Sequence, residues 1–165
     1  FYGKRLPADW WTVHAYVLNE GTGDWGAGLP VGMEPVTGVP RAIADHGSLG
    51  LFMEQIKDFR QWMKANGYQN TPLAVTEFGI LLSDQEGFSQ EFIAQYLLQA
   101  CTWLDEASDP GTGYPGDERR LVQRWAWFSL SDPIYPASDL ADLELNRLTP
   151  VGEAYQAYTL PNRPE

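Results

Sequence analysis

Short apolar runs alternate with stretches of helical spacing along this chain, and that alternation limits the fold more than any other feature. Residues 9–17, 73–80 and 121–130 are short, apolar and rich in aromatic and β-branched side chains, so we interpret them as strands. Each run is followed by a segment in which apolar residues recur three or four positions apart. Strands and helices in this order predict an α/β fold with three strand-helix units and a parallel sheet.

The three predicted helices each have an apolar face and a recognisable end. The first has apolar residues at helical spacing, namely Phe52, Ile56, Phe59 and Met63. Gly67 is placed to end it in the left-handed conformation. The second helix has a similar face, made of Ile93, Leu97, Ala100 and Leu104. Thr149 as N-cap and Pro150 in the first turn predict a third helix that closes the chain.

Glu77 is the one charged residue in the second apolar run, which otherwise suits a strand covered on both sides. A regular pleat places Glu77 on the same face as Leu73 and Val75. Burying an unpaired carboxylate is costly, so the residue needs a partner or a function. The carboxyl ends of strands line the active site of parallel barrels, which makes Glu77 the leading catalytic candidate. The alternative is a structural carboxylate held by an arginine or by backbone amides.

Three more side chains occupy late positions on the neighbouring strands. His14 and Tyr16 share a face of the first strand, so both are placed to reach one pocket with Glu77. Trp127, late on the third strand, offers a flat ring against which a sugar can stack. Packing in the core is the alternative role for His14 and Trp127.

The charge balance excludes several classes of partner. The 165 residues include 11 Lys and Arg against 22 Asp and Glu, a net charge of −11, whereas nucleic acids and anionic membranes require clustered cations. No apolar run reaches the roughly 18 residues that cross a bilayer. The acidity, with 7 Trp and 8 Tyr that suit sugar stacking, favours a secreted or periplasmic glycan enzyme. The one cysteine, Cys101, is expected in the core.

Motifs for other chemistries are missing from the sequence. It has no phosphate loop, dinucleotide fingerprint, serine nucleophile elbow or metalloprotease helix, so we expect no cofactor and no metal. A metal-dependent hydrolase that uses His14, Asp24 and Glu77 is the less favoured alternative.

Four segments carry a resemblance to a known clan of enzymes. Residues 72–79 resemble the seventh strand of (β/α)8 glycoside hydrolases whose catalytic glutamates lie on strands four and seven. Residues 13–16 are similar to the sixth strand of that clan, residues 123–128 to its eighth, and residues 148–155 to the start of its final helix. The similarity is greatest to small endo-β-1,3-glucanase-like catalytic domains.

The resemblance implies that residues 1–165 form a single partial domain, the C-terminal portion of a TIM barrel. It would contain about strands six to eight with their helices, and its N-terminal part would be missing. Three parallel strands alone leave two open edges. We therefore expect the sheet to be completed by the missing half of the barrel or by another chain.

The resemblance also assigns roles to the candidate residues. It makes Glu77 the nucleophile of a retaining glycoside hydrolase that acts on a β-glucan or related oligo- or polysaccharide. His14 and Tyr16 would hydrogen-bond the sugar or the nucleophile, and Trp127 would be the stacking platform. In the clan the acid/base glutamate follows an asparagine at the end of strand four. Here the only Asn-Glu pair ends at Glu20, which follows the strand-six-like segment. Glu20 is thus expected in a loop, and the acid/base outside this segment.

A second, non-catalytic function is also compatible with the sequence. The chain is alternatively a non-catalytic carbohydrate-binding or structural remnant of a barrel, which keeps the aromatic groove and lacks a proton donor.

Overall fold

A computed structural model describes residues 6–21, 25–29, 32 and 38–160. Within them, strands and helices alternate as the sequence predicts. The elements are β1 (Trp11–His14), α1 (Leu49–Ala65), β2 (Leu73–Glu77), α2 (Gln90–Glu106), β3 (Arg124–Trp125) and α3 (Pro150–Thr159). The first three strands form one parallel sheet in the order β1-β2-β3. A small antiparallel hairpin of β4 (Ala141–Asp142) and β5 (Arg147–Leu148) precedes α3.

The strands are shorter than the apolar runs that predict them. The run 121–130, for example, forms only the two-residue strand β3. Beyond the regular ladder the chain keeps isolated backbone bonds to its neighbour, such as Phe128 N–H to the Phe78 carbonyl at 2.9 Å. Apolar character in this chain therefore marks burial over a longer stretch than regular strand pairing.

The helix ends follow the sequence signals closely. Each helix begins after a hydroxyl residue whose side chain accepts a backbone N–H of the first turn: Ser48, Ser89 and Thr149. The predicted Thr149 cap accepts from the amide of Gly152 at 3.0 Å, with Pro150 as the first helical residue. Gly67 has φ +79° just after α1, which confirms the predicted left-handed end.

One face of the sheet packs against the helices and forms the core. Leu73 and Val75 of β2 are fully buried there. They are joined by the predicted apolar faces of α1 and α2, of which Phe52, Ile56, Met63, Ile93, Leu97, Ala100 and Leu104 are at most 1% exposed. Cys101 is buried among them, as the sequence predicts.

The opposite face of the sheet is exposed. It carries Thr12 and His14 of β1, Thr76 of β2, and Arg124 and Ala126 at β3. The expectation that the second run is covered on both sides is therefore wrong for this chain. Parallel sheets in proteins are usually covered on both faces, which makes this surface unusual. None of the helices in the described ranges is both long and apolar enough to span a bilayer.

Candidate active site

A β-bulge in β2 decides where Glu77 points. Val13 pairs with Val75, but the next residue, His14, pairs with Glu77, so Thr76 is an extra residue on its strand. A bulge of one residue reverses the side to which the following side chains point. The expectation that Glu77 shares a face with Val75 is therefore wrong. Glu77 lies on the exposed face beside His14, and the next side chain, Phe78, enters the core.

The structure brings three of the four predicted site residues into contact. His14 Nδ1 lies 3.2 Å from Glu77 Oε2, and the Tyr16 hydroxyl donates to the same oxygen, also at 3.2 Å. The Glu77 side chain is 34% exposed, so water reaches it. Both contacts fall on Oε2, while Oε1 accepts no hydrogen bond from the residues that the structure describes. The carboxylate is thus oriented through one oxygen and available through the other.

Tyr16 is held in its protonated form by its surroundings. Burial raises the pKa of its hydroxyl above the ordinary value, and the charge and hydrogen bond of Glu77 raise it further. Asp132 and Tyr135 raise this pKa as well, by smaller amounts. At neutral pH the phenol therefore stays protonated, donates a hydrogen bond to the carboxylate and does not compete with it as a base.

Trp127, the fourth predicted site residue, lies in the core. It is 8% exposed, and its indole N–H donates to the carbonyl of Ser138 at 2.8 Å. Its ring meets Phe78 edge-on, with 5.2 Å between centroids. Alternation along the strand sends Trp125 and Trp127 toward the helices, where Trp125 contacts Tyr155 of α3. This placement favours the packing role over the stacking role.

The aromatic side chain that faces the site is Phe128. Its ring meets Tyr16 edge-on, with 6.3 Å between centroids, and it is half-buried. The peptide bond from Phe128 to Ser129 is cis. The pattern offered a signal for this residue, because a strand that directs Trp127 toward the helices directs its neighbour to the opposite face.

A second aromatic residue, Tyr135, is exposed in the loop after β3. Asp139, 8% exposed, accepts hydrogen bonds from the Ser129 hydroxyl at 2.9 Å and the Asp132 amide at 2.8 Å. Asp132 Oδ1 accepts in turn from the amide of Tyr135 at 2.8 Å. These bonds fix the loop that carries Tyr135, which is 43% exposed and contributes to the raised pKa of Tyr16. Sequence patterning gave no sign of Tyr135, since it lies outside any periodic segment.

A cleft of about 450 Å³ is lined by His14, Tyr16 and residues of the loop after β1. Glu20 and Arg41 line it. Glu20 lies in that loop, as the sequence predicts, and its Oε2 accepts the amide of Val39 at 3.1 Å.

The metal alternative has little to support it. Asp24 lies outside the described residues, so the set of His14, Asp24 and Glu77 is not placed. Among the residues that the structure places, no three His, Cys, Asp or Glu side chains are grouped to hold a metal ion.

Comparison with known proteins adds one finding. A family model described as "Glycosyl hydrolase catalytic core" matches residues 42–155, well over half of the chain. The matched region contains Glu77, Phe128 and Tyr135, and begins after His14 and Tyr16. Neither the curated proteins nor the solved structures give a significant match.

Proposed function

The chain belongs to the glycosyl hydrolase catalytic core family, whose substrates are carbohydrates, and we propose that Glu77 is its nucleophile in a retaining O-glycoside hydrolase. We propose a β-glucan or related polysaccharide as the substrate. The geometry of Glu77 is the observation that supports this role. Its carboxylate is accessible to water at the end of a parallel strand, Oε2 contacts His14 and Tyr16, and Oε1 is available.

Contacts from His14 and Tyr16 on one carboxylate oxygen leave the other oxygen for nucleophilic attack. In the first step Glu77 Oε1 bonds to the anomeric carbon while the glycosidic C–O bond breaks, and the leaving oxygen takes a proton from an acid. In the second step water attacks the same carbon, gives its proton to the conjugate base of that acid, and releases Glu77. Tyr16 keeps its proton throughout and orients the carboxylate, since its pKa is raised.

The acid belongs, in this proposal, to a part of the barrel outside this segment. A retaining enzyme needs a second carboxyl group at about 5 to 5.5 Å from the nucleophile. Of the two described carboxylates that line the cleft, Glu20 accepts the amide of Val39 and Asp58 lies on α1, so neither is at the end of a strand.

We propose that residues 1–165 form one partial domain, the C-terminal portion of a TIM barrel with about strands six to eight. Three observations support it: the strands are parallel, the helices cover one face only, and the candidate site lies at the carboxyl ends of the strands. The exposed face would be covered by the rest of the barrel or by another chain. A secreted or periplasmic location is proposed from composition alone.

We propose Phe128 and Tyr135 as the apolar surface for the sugar, in place of Trp127. Phe128 contacts Tyr16 directly, and Tyr135 is exposed on the loop after β3 and contributes to the raised pKa of Tyr16. Aromatic rings of this kind bind the apolar face of a sugar ring.

Substitution of the nucleophile tests the proposed function. In protein that carries the complete barrel, Glu77→Gln should lower kcat/KM for β-glucan oligosaccharides on the order of 10⁴-fold or more, because the covalent step is lost. Oligosaccharide binding by calorimetry should persist, since the amide keeps the size of the side chain. Glu20→Gln is the matched control and should retain near wild-type turnover. Unchanged hydrolysis in Glu77→Gln would contradict the proposal.

The same experiment distinguishes the enzyme from the alternative, a carbohydrate-binding protein without catalysis. That alternative is favoured by the bond between Glu20 and the Val39 amide, because it engages Glu20 away from Glu77. That alternative predicts that the unsubstituted protein and both variants bind oligosaccharide and that none of them hydrolyses it.

A further inference from the structure

The backbone ladder between β1 and β2 ends at the candidate site. Its last bond runs from the Ala15 amide to the Glu77 carbonyl at 2.8 Å. Past that point, the described parts of the two segments share no backbone hydrogen bond. Tyr16 and Glu77 nevertheless have to stay in register for the phenol to reach the carboxylate.

His46 joins the two segments where the ladder stops. It lies in the short 3-10 turn Ile43–Gly47, directly before α1. Its Nδ1 lies 2.8 Å from the carbonyl of Val17, and the amide of Leu81 donates to its Nε2 at 2.8 Å. Val17 follows Tyr16 directly, and Leu81 lies four residues beyond Glu77. One imidazole ring therefore connects the segments that follow β1 and β2, which form the two rims of the site.

These two bonds fix the protonation state of His46. The Leu81 amide can donate only to a bare nitrogen, so Nε2 has no proton. Nδ1 then has the ring proton and donates it to the Val17 carbonyl. The ring is 1% exposed and lies edge-on to Trp25 and Phe88, with centroids 6.1 and 5.7 Å away.

We propose that neutral His46 is a positioning residue for the Glu77 site and that protonation of its ring releases the two rims from each other. Its effect on catalysis rests on the proposed function of Glu77, whereas its effect on the geometry of the site does not.

Protonation would place an N–H on Nε2 against the N–H of Leu81, which turns an attraction into a repulsion. It would also put a charge into an apolar pocket. Burial lowers the pKa of His46, and the bond to the Val17 carbonyl opposes this. No charged group in the described chain contributes to the shift, and the carboxylate of the adjacent Asp45 accepts the amide of Ala42 at 2.9 Å.

The direction of the pH effect follows from the lowered pKa. The unfolded chain binds the proton at a higher pH than the folded chain does, so the folded state becomes more stable as the pH rises through this window. The stabilisation by His46 is complete above the ordinary histidine pKa of 6.5 and is lost as the pH falls from there toward the lowered value.

Two variants separate positioning from mere stability. His46→Gln keeps a donor and an acceptor and does not titrate, whereas His46→Phe keeps a ring and loses both bonds. We expect His46→Phe to lower kcat about 10- to 100-fold with little change in KM, as displacement of a catalytic group does. We expect His46→Gln to recover most of kcat and to flatten the acid limb of the kcat profile. A lower melting temperature with unchanged kcat and acid limb in both variants would overturn the proposal.

Histidine NMR gives a readout that needs no turnover. In ¹⁵N-labelled protein at neutral pH, the long-range ¹H–¹⁵N spectrum should show His46 as the Nδ1-H tautomer. The side-chain ¹⁵N resonances of His14, which lies against Glu77, should shift in His46→Phe and stay close to wild type in His46→Gln. An Nε2-H tautomer, or His14 resonances that are unchanged in His46→Phe, would contradict the positioning role of His46. A protein without hydrolytic activity but with these spectra would contradict only the function proposed for Glu77.

Discussion

Two charged side chains at opposite ends of the sheet, Glu77 and Arg60, have opposite surroundings. At the carboxyl end, Glu77 is one third exposed and has contacts on one oxygen only. At the amino end, Arg60 of α1 is fully buried. Its Nε donates to the carbonyl of Leu121 at 2.5 Å, and its two terminal nitrogens donate to the Thr71 carbonyl at 3.1 Å and to Gln123 Oε1 at 2.6 Å.

The difference shows how a fold separates a structural charge from a chemical one. The charge of Arg60 is stabilised by carbonyl dipoles, and no carboxylate of a described residue lies within salt-bridge distance of it, so burial lowers its pKa to about 10 while Asp117 opposes the shift. Gln123 Oε1 also accepts the amide of Leu73 at 2.9 Å, so the guanidinium fixes the starts of β2 and β3 together. Glu77 keeps an accessible oxygen, which a reaction requires.

Removal of Arg60 should give the largest effect on stability. Arg60→Met leaves buried carbonyls without donors, so we expect the free energy of unfolding to fall by about 3 to 5 kcal/mol. Denaturant titration measures this, with Lys64→Met on the exposed side of α1 as control at about 0.5 kcal/mol or less. Activity per folded molecule should not change. Equal stability of the two variants would contradict the structural role of Arg60 at the amino end of the sheet.

Removal of the Tyr16 hydroxyl should affect chemistry and leave stability nearly unchanged. Tyr16→Phe keeps the ring contact with Phe128 but loses the charged hydrogen bond, so kcat should fall about 10- to 100-fold. Tyr158→Phe is the matched control, because its hydroxyl donates to a carboxylate on the helical side, Asp105, at 2.6 Å. That variant should keep its kcat. A similar loss in both variants would mean that the phenol at the site has no special role.

The smallest effect is expected at the sugar surface. Tyr135→Ala should raise KM about 3- to 10-fold with kcat nearly unchanged, since it removes one aromatic face from substrate binding. Ile134→Ala is the control, as the neighbouring side chain is 73% exposed and has no ring. Steady-state kinetics on oligosaccharides measures this effect. Equal KM values in the two variants would contradict a role of Tyr135 in substrate binding.

The sequence predicted the fold of the helical face well because periodicity reports burial directly. The apolar face of α1 and its end at Gly67 both followed from spacing. The spacing also carries a signal for Arg60, which lies four residues after Ile56 and three before Met63, on the apolar face itself. A charge at such a position has to be satisfied within the fold.

The site was predictable in part. Glu77 stood out because it is the one charge in an apolar run, and His14 and Tyr16 followed from alternation along β1. The bulge at Thr76 was not predictable, since no pattern in the run marks an extra residue, and it reverses the side on which Glu77 lies. His46 was hidden for another reason: both of its partners are backbone groups far away in sequence.

Covalent trapping of Glu77 tests the proposed chemistry most directly. An activated 2-deoxy-2-fluoro-β-glucoside slows hydrolysis of a glycosyl-enzyme, so protein with the complete barrel should gain the mass of one fluoroglucosyl unit. Peptide mass spectrometry should locate that mass on Glu77 and should find none on Glu77→Gln. A label on another carboxylate, or hydrolysis with inverted product and no label, would contradict nucleophilic attack by Glu77.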